Sequence, residues 1–238
     1  MNANLMVAIL AVAWFAIVLR SGTRRHEDYW DRVGPRKPFS IPIDIDRLRT
    51  WLAPDSRIAD IGCGYGRVIE LLRDAGFQHL VGVDPAPAMI DGARVRVTEA
   101  SFHLMTSPPA LPLADASLDA AMIVGVLTAI PSSEEQRGLV AETSRVLRPR
   151  GFMCIADFWI QDDERNRVRY EEGLARHGLY GVFDLPEGVT LRHHSREWMA
   201  ELTSGFEPLA LEDIVLKTMN GHEARGFRWY GRLPTRRA

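Results

Sequence analysis

Charge of one sign is what this chain conspicuously lacks: 29 Lys and Arg stand against 31 Asp and Glu, a formal net charge of −2. That balance excludes the basic footprint of a nucleic-acid binder, so no nucleic-acid partner is expected. The basic residues are nearly all arginine, and the locally positive end, RLPTRRA, reads as a solvated terminus. Cysteine is scarcer still. Cys63 and Cys154 lie far apart, each inside an apolar run, which excludes a disulfide framework or a cysteine-built zinc centre and suits two buried thiols in a reducing compartment. No metal is expected. Internal repeats are absent, and so are two phosphate-binding signatures: no G-x-G-x-x-G occurs around the glycines at 62–66, and no Gly-Lys-Ser/Thr triplet follows them.

What is present begins with an apolar segment. Leu5 to Leu19, LMVAILAVAWFAIVL, carries no charge, and the first charged side chain is Arg20. As a helix, the uncharged stretch would reach roughly 28 Å, against a hydrocarbon core of about 30 Å. A secretory signal would want positive charge ahead of the apolar run, whereas here Arg20, Arg24 and Arg25 follow it. The expectation is a membrane-anchor helix over 1–20 with the rest of the chain on the cytoplasmic side; a soluble cytoplasmic protein is the alternative. Residues 21–43, broken by Gly34, Pro35, Pro38 and Pro42, read as a lead-in.

Beyond that point the pattern alternates. Helical spacing over 44–53 precedes strands near 57–61, 79–83, 102–105, 118–124 and 152–158, with helices over 67–75, 86–95 and 133–147 between them. Such alternation implies a doubly wound α/β domain, a mostly parallel sheet covered on both faces. At the end, LEDIVLKTM and HEARGFRWYG flank Asn220-Gly221, a pair suited to a two-residue hairpin turn, so the sheet should close with an antiparallel pair. The domain is expected to occupy 44–238. Within it, 159–205 forms an insertion over the site, with a charged helix near 162–177 and another starting at Ser195.

The central motif is RIADIGCGYGRVIELL, from Arg57. A strand, a tight turn through Gly62, Gly64 and Gly66, and a helix start let backbone approach a ligand closely. Asp60 sets negative charge beside the turn, which repels phosphate and attracts an ammonium group. Asp84 closes the next strand twenty residues after Gly64, where a carboxylate accepts both hydroxyls of a ribose. A ligand with a ribose and a cationic amino-acid end satisfies both, and S-adenosylmethionine is such a ligand.

Four blocks in order, ADIGCGYG, VGVDPAPAMI, LPLADASLDAAMIVGVL and RVLRPRGFMCIADF, make residues 57–158 resemble the class I S-adenosylmethionine-dependent methyltransferases, with a type 11-like domain. The resemblance implies a Rossmann-like, seven-stranded sheet with an antiparallel last strand, and S-adenosylhomocysteine as the product of the cofactor. It implies that Gly62, Cys63, Gly64 and Gly66 line the methionine and ribose side. Asp60 would face the amino group, Asp84 and Pro85 the ribose, and Ser107 the adenine amine, where relatives often place an acid. Val124 and Gly125 would lie beneath the cofactor. Where many relatives carry a histidine after the fourth strand, this chain reads Leu127, Thr128, Ala129.

Methyl transfer from a sulfonium mainly needs alignment and exclusion of water, with a base only for a protonated acceptor. The candidates for that base are Asp157, at the end of the fifth strand, and His194, in the insertion beside His193. Tyr29 and Trp30 stand ready to fold over the site, and Trp159, Tyr170, Tyr180 and Phe183 form an aromatic set suited to a pocket or to core. The acceptor class stays open between a small molecule and a lipid-like compound such as a quinone precursor. The alternative function is a non-catalytic S-adenosylmethionine-binding module or sensor.

Overall fold

The computed structural model describes residues 29–30, 40–218 and 221–235. The segment 1–20, for which an anchor helix is expected, lies outside the described residues. Helix α1 (Ile45–Arg49) is N-capped by Asp44, which accepts from the Arg47 amide. Then come β1 (Arg57–Ile61), α2 (Arg67–Asp74), β2 (His79–Asp84), α3 (Pro87–Arg96), β3 (Ser101–Leu104) and β4 (Leu118–Val124). A 3₁₀ turn (Leu127–Ala129) leads into α4 (Ser133–Val146) and β5 (Leu147–Phe158). The remainder is α5 (Glu164–His177), β6 (Val182–Asp184), β7 (Thr190–Arg192), α6 (Arg196–Leu202), β8 (Glu207–Lys217) and β9 (Glu223–Arg232).

Seven strands form one sheet in the order β3-β2-β1-β4-β5-β9-β8, and β6 and β7 form a separate ribbon. The first five strands run parallel, and β9 is antiparallel to both β5 and β8. Strand alternation sorts the core into two layers. Ile58, Met122, Phe152 and Cys154 face α1, α2 and α3 through Leu48, Ile69, Leu72 and Ala93. Their neighbours Ala59, Ile123, Met153 and Ile155 face α4 and α6 through Leu139, Val140, Met199 and Leu202.

Two local differences from the sequence reading have plain causes. Strand β5 starts directly at Leu147, because Arg150 adopts φ 64° and donates its amide to the Leu233 carbonyl, holding the bend RPRG against the sheet. The closing turn is wider than the two residues expected. Thr218 and His222 pair through backbone, Gly221 donates to the Thr218 carbonyl, and Gly221 takes φ 81°, so three residues stand between the paired positions.

Candidate active site

Strand order reverses at β1, whose successor β2 lies on one side and β4 on the other. The carboxyl ends of β1 and β4 therefore open a crevice, the usual ligand position of an open α/β sheet. A cavity of about 620 Å³ fills that position and continues beneath the insertion.

At its inner end the chain leaves β1 through Gly62, Cys63 and Gly64, with φ 74° at Gly62 and 51° at Gly64. The amides of Gly62 and Cys63 both donate to the Val83 carbonyl, at 2.7 and 3.0 Å, which pins the turn to the tip of β2. Asp84, at that tip, accepts from the Gly64 amide through Oδ2 and from the Ala86 amide through Oδ1, each at 2.9 Å. Both carboxylate oxygens are thereby aimed, and each keeps lone-pair capacity for a ligand hydroxyl. A Cβ at Gly62 would collide with Val126 Cγ2, so the turn needs glycine for space as well as for φ.

Asp60 is 2% exposed and lines the cavity. Its carboxylate receives no hydrogen bond among the described residues. Burial pushes its pKa up to about 7, with Arg67 pulling it down and Asp84 pushing it further up. Arg67 is engaged elsewhere, Nη2 donating to the Ile41 carbonyl at 2.7 Å. A buried acid without a donor, facing a cavity, suits a cationic group and rejects a diphosphate. The described residues therefore fit an amino-acid-bearing nucleoside.

Asp60, Gly62, Cys63, Gly64, Asp84, Pro85, Val124 and Gly125 all line the cavity. Gly66 and Ser107 do not. Gly66 N-caps α2 at φ 83°, and a Cβ there would press on Ala93 Cβ at 3.3 Å, so it sets helix packing. Ser107 is exposed, its carbonyl accepting from Ala110, while Met89, Met105, Pro108 and Pro109 supply the apolar wall near it. Burial raises the Cys63 pKa well above its ordinary value, so the side chain is an inert thiol.

The structure places neither of the two candidate bases on the cavity wall. Asp157 is fully buried; Oδ2 accepts from the Thr128 amide at 3.0 Å and Oδ1 from the Phe158 amide at 2.8 Å, and the Leu127 amide adds a further bond. Burial pushes its pKa up to about 7, and its work is to hold the 3₁₀ turn against β5. His194 is also buried, with Nε2 3.1 Å from Gln136 Nε2 and Nδ1 3.3 Å from the Phe158 carbonyl. Burial lowers its pKa to about 3, so it is a neutral link between β5 and α4.

His193 takes the place expected of its neighbour. Its ring lines the cavity, stacked on Phe158 with centroids 5.2 Å apart and edge-on to Phe183 at 4.9 Å. Burial lowers its pKa well below the ordinary value, so it is neutral. Tyr170 Oη lies 2.5 Å from His193 Nδ1 and accepts from the Gln161 amide at 3.3 Å. The phenol proton therefore points to Nδ1, and the imidazole carries its own proton on Nε2.

Of the aromatic set, Phe183 lines the cavity and Tyr170 lies behind it; Trp159 packs in the core on Phe227 at 4.0 Å, and Tyr180 meets Tyr170 edge-on at 5.3 Å. Tyr29 packs with Tyr170 and Phe183, and Trp30 lines the cavity, so described parts of the lead-in do close over it. Sequence reasoning missed Arg165 and Arg169, which reach the cavity from α5. Their four-residue spacing on one helix face was the available signal.

Comparison with known proteins agrees with this geometry. Residues 59–155 match the family model of a methyltransferase domain. Fold, turn and matched domain are similar to those of the class I S-adenosylmethionine-dependent methyltransferases, and S-adenosylmethionine is the cofactor that the site fits. The chain is 29% identical over 202 residues to O-methyltransferase rstn1 of Aspergillus nomiae, covering 79% of this chain and 83% of that one. It is 28% identical over 180 residues to the ubiquinone/menaquinone biosynthesis C-methyltransferase UbiE of Campylobacter jejuni, covering 73% and 72%. Its fold is that of a methyltransferase from Methanosarcina mazei, with a TM-score of 0.73 at 23% identity over 79% of this chain and 97% of that one.

Proposed function

We propose that this methyltransferase methylates a compact aromatic acceptor, a phenol or its quinone-type precursor, bound beneath the insertion. One observation carries the reading: the cavity that starts at the glycine turn continues without interruption onto a shelf of Phe158, His193 and Phe183. The relatives named above, an O- and a C-methyltransferase, the latter of ubiquinone and menaquinone biosynthesis, support an acceptor of this kind.

In this reading Asp84 holds the ribose hydroxyls and Asp60 the amino group, while Gly62, Cys63 and Gly64 let the backbone close on the sugar and the methionine chain. Pro85, Met89 and Met105 flank the adenine. When bound, S-adenosylmethionine supplies an electrophilic methyl on a positively charged sulfur. The chain's task is then alignment in a dry site. Trp30, Ile41 and Ile130 exclude water, and the aromatic shelf orients the ring. The Nε2–H of His193 donates to the acceptor oxygen, which favours its ionised, nucleophilic form. Neither His193 nor His194 takes a proton here, so the acceptor enters already ionised, or it loses its proton to another group or to solvent.

The test is incubation of the purified chain with labelled S-adenosylmethionine and a metabolite panel. Label in an aromatic product supports the reading, and label only in aliphatic or macromolecular products refutes it. Among the described residues no helix is long and apolar enough to cross a membrane. The run Leu5–Leu19 lies outside them, and its composition supports an anchor that would bring the site to membrane-soluble acceptors. Recovery of the intact chain in the soluble fraction after lysis would refute the anchor.

A further inference from the structure

Charge is unevenly distributed around the cavity. The acids Asp60 and Asp84 line the end at the glycine turn, together with the cation Arg67, and Glu135 lines the wall at the start of α4. The end beneath the insertion is lined by Arg165 and Arg169. Arg169 lies with its guanidinium carbon 3.6 Å from the centroid of Phe183 and 5.6 Å from that of Tyr170. It takes part in none of the ion pairs among the described residues, and its Nε is shielded from solvent without a hydrogen-bond partner. Burial lowers its pKa, and the Tyr170 hydroxyl, its hydrogen-bond partner, offsets only part of that. Arg165 reaches one carboxylate, Asp163 Oδ1, at 4.0 Å, the outer limit of an ion pair. That carboxylate already caps α5 through the Asn166 amide at 3.1 Å and binds the Asn166 side chain.

The nearby acid Asp184 is not available to either arginine. Arg176 Nη1 pairs with it at 2.7 Å, His177 Nε2 approaches at 3.1 Å and the Thr190 hydroxyl donates at 2.7 Å. Both cationic side chains thus line this end of the cavity, Arg169 over the ring of Phe183. Phe183 links them to the acceptor shelf, touching Arg169 on one side and His193 on the other.

We propose that Arg169, assisted by Arg165, forms a carboxylate subsite, so that the acceptor is an aromatic acid whose ring lies on the Phe158–His193–Phe183 shelf. This inference rests on the aromatic-acceptor reading above and narrows it. A guanidinium over an aromatic ring can present two parallel N–H donors to a carboxylate, a geometry lysine does not offer.

The experiment is calorimetric titration of the full chain, first saturated with S-adenosylhomocysteine, with 3,4-dihydroxybenzoate and separately with its methyl ester. The acid is expected to bind at least about tenfold more tightly than the ester, the scale of one charge-assisted pair in a sheltered site. R169Q should bring acid and ester within about twofold of each other while leaving S-adenosylhomocysteine affinity unchanged, and R169K should restore only part of the difference. Equal binding of acid and ester, no binding of the acid, or an acid preference that survives R169Q overturns the subsite. Failure of S-adenosylhomocysteine to bind at all would instead refute the placement of the cofactor. If R169Q unfolds, R165Q carries the same test with a smaller expected loss, and an unchanged preference there counts against the proposal.

Discussion

Replacing Asp60 by asparagine should make the ligand-free protein more stable and the cofactor complex weaker. Asp60 is a buried acid whose pKa moves from 3.8 to about 7 on folding. At about 1.4 kcal/mol per pH unit, that interval is worth about 4 kcal/mol. The sign follows from proton binding: between these two values the unfolded chain has lost the proton that the folded chain keeps, so stability falls as pH rises and the whole penalty is present above pH 7. Water entering the cavity relieves part of it, so about 4 kcal/mol is a ceiling. An amide at this position carries no charge and escapes the penalty. An ammonium group beside Asp60 favours the ionised form, so cofactor binding expels a proton below pH 7, and affinity should rise about tenfold per pH unit up to that point and then level off. The assay is urea unfolding at pH 5.5 and 8.0, with calorimetric titration of S-adenosylhomocysteine over the same range. D60N should gain about 1–4 kcal/mol at pH 8.0, bind at least about tenfold more weakly there, and lose the pH dependence. Unchanged affinity with an unchanged pH profile in D60N would refute the assignment of Asp60 to the amino group.

Three other substitutions probe the turn and the correction at the bases. Gly62→Ala places a Cβ against Val126 at φ 74° and should cost about 3 kcal/mol, partly recovered by Val126→Ala; a loss under about 1 kcal/mol in urea unfolding would contradict the close approach. Asp157→Asn strands at least one of the backbone amides now bonded to the carboxylate and should lower stability by about 2 kcal/mol, with the pH profile of turnover unchanged. A fall in kcat of about a hundredfold at native stability would return Asp157 to proton transfer. Tyr170→Phe removes the donor that fixes the His193 tautomer and should raise the acceptor KM about fivefold at unchanged S-adenosylhomocysteine affinity; an unaltered KM would leave His193 without its positioning role.

Much of this fold was legible because β1, β2 and β4 are short and apolar, and each leads into a helix. The β1 turn and Asp84 could be located from spacing alone, since glycines with positive φ and an acid at a strand tip have few other uses together. The acceptor side was less legible. Asp157 and His194 stand at strand ends where proton-transfer groups often sit, but whether a side chain faces the cavity or the 3₁₀ turn depends on tertiary contacts with Gln136 and the amides of 127 and 128. His193 and His194 point opposite ways from adjacent positions, a choice made by the bridge between Trp159 and His194. Arg165 and Arg169 read as a solvated helix face until the β6–β7 ribbon is packed beneath them. That packing depends on Gly173, where any Cβ would strike the Val182 carbonyl.

The most direct measurement is a structure of the complex with S-adenosylhomocysteine. Both ribose hydroxyl oxygens should lie within hydrogen-bonding distance of the Asp84 carboxylate, with the amino group on the Asp60 side of the turn. A ribose bound away from Asp84, or an amino group directed away from Asp60, would contradict the account at its centre.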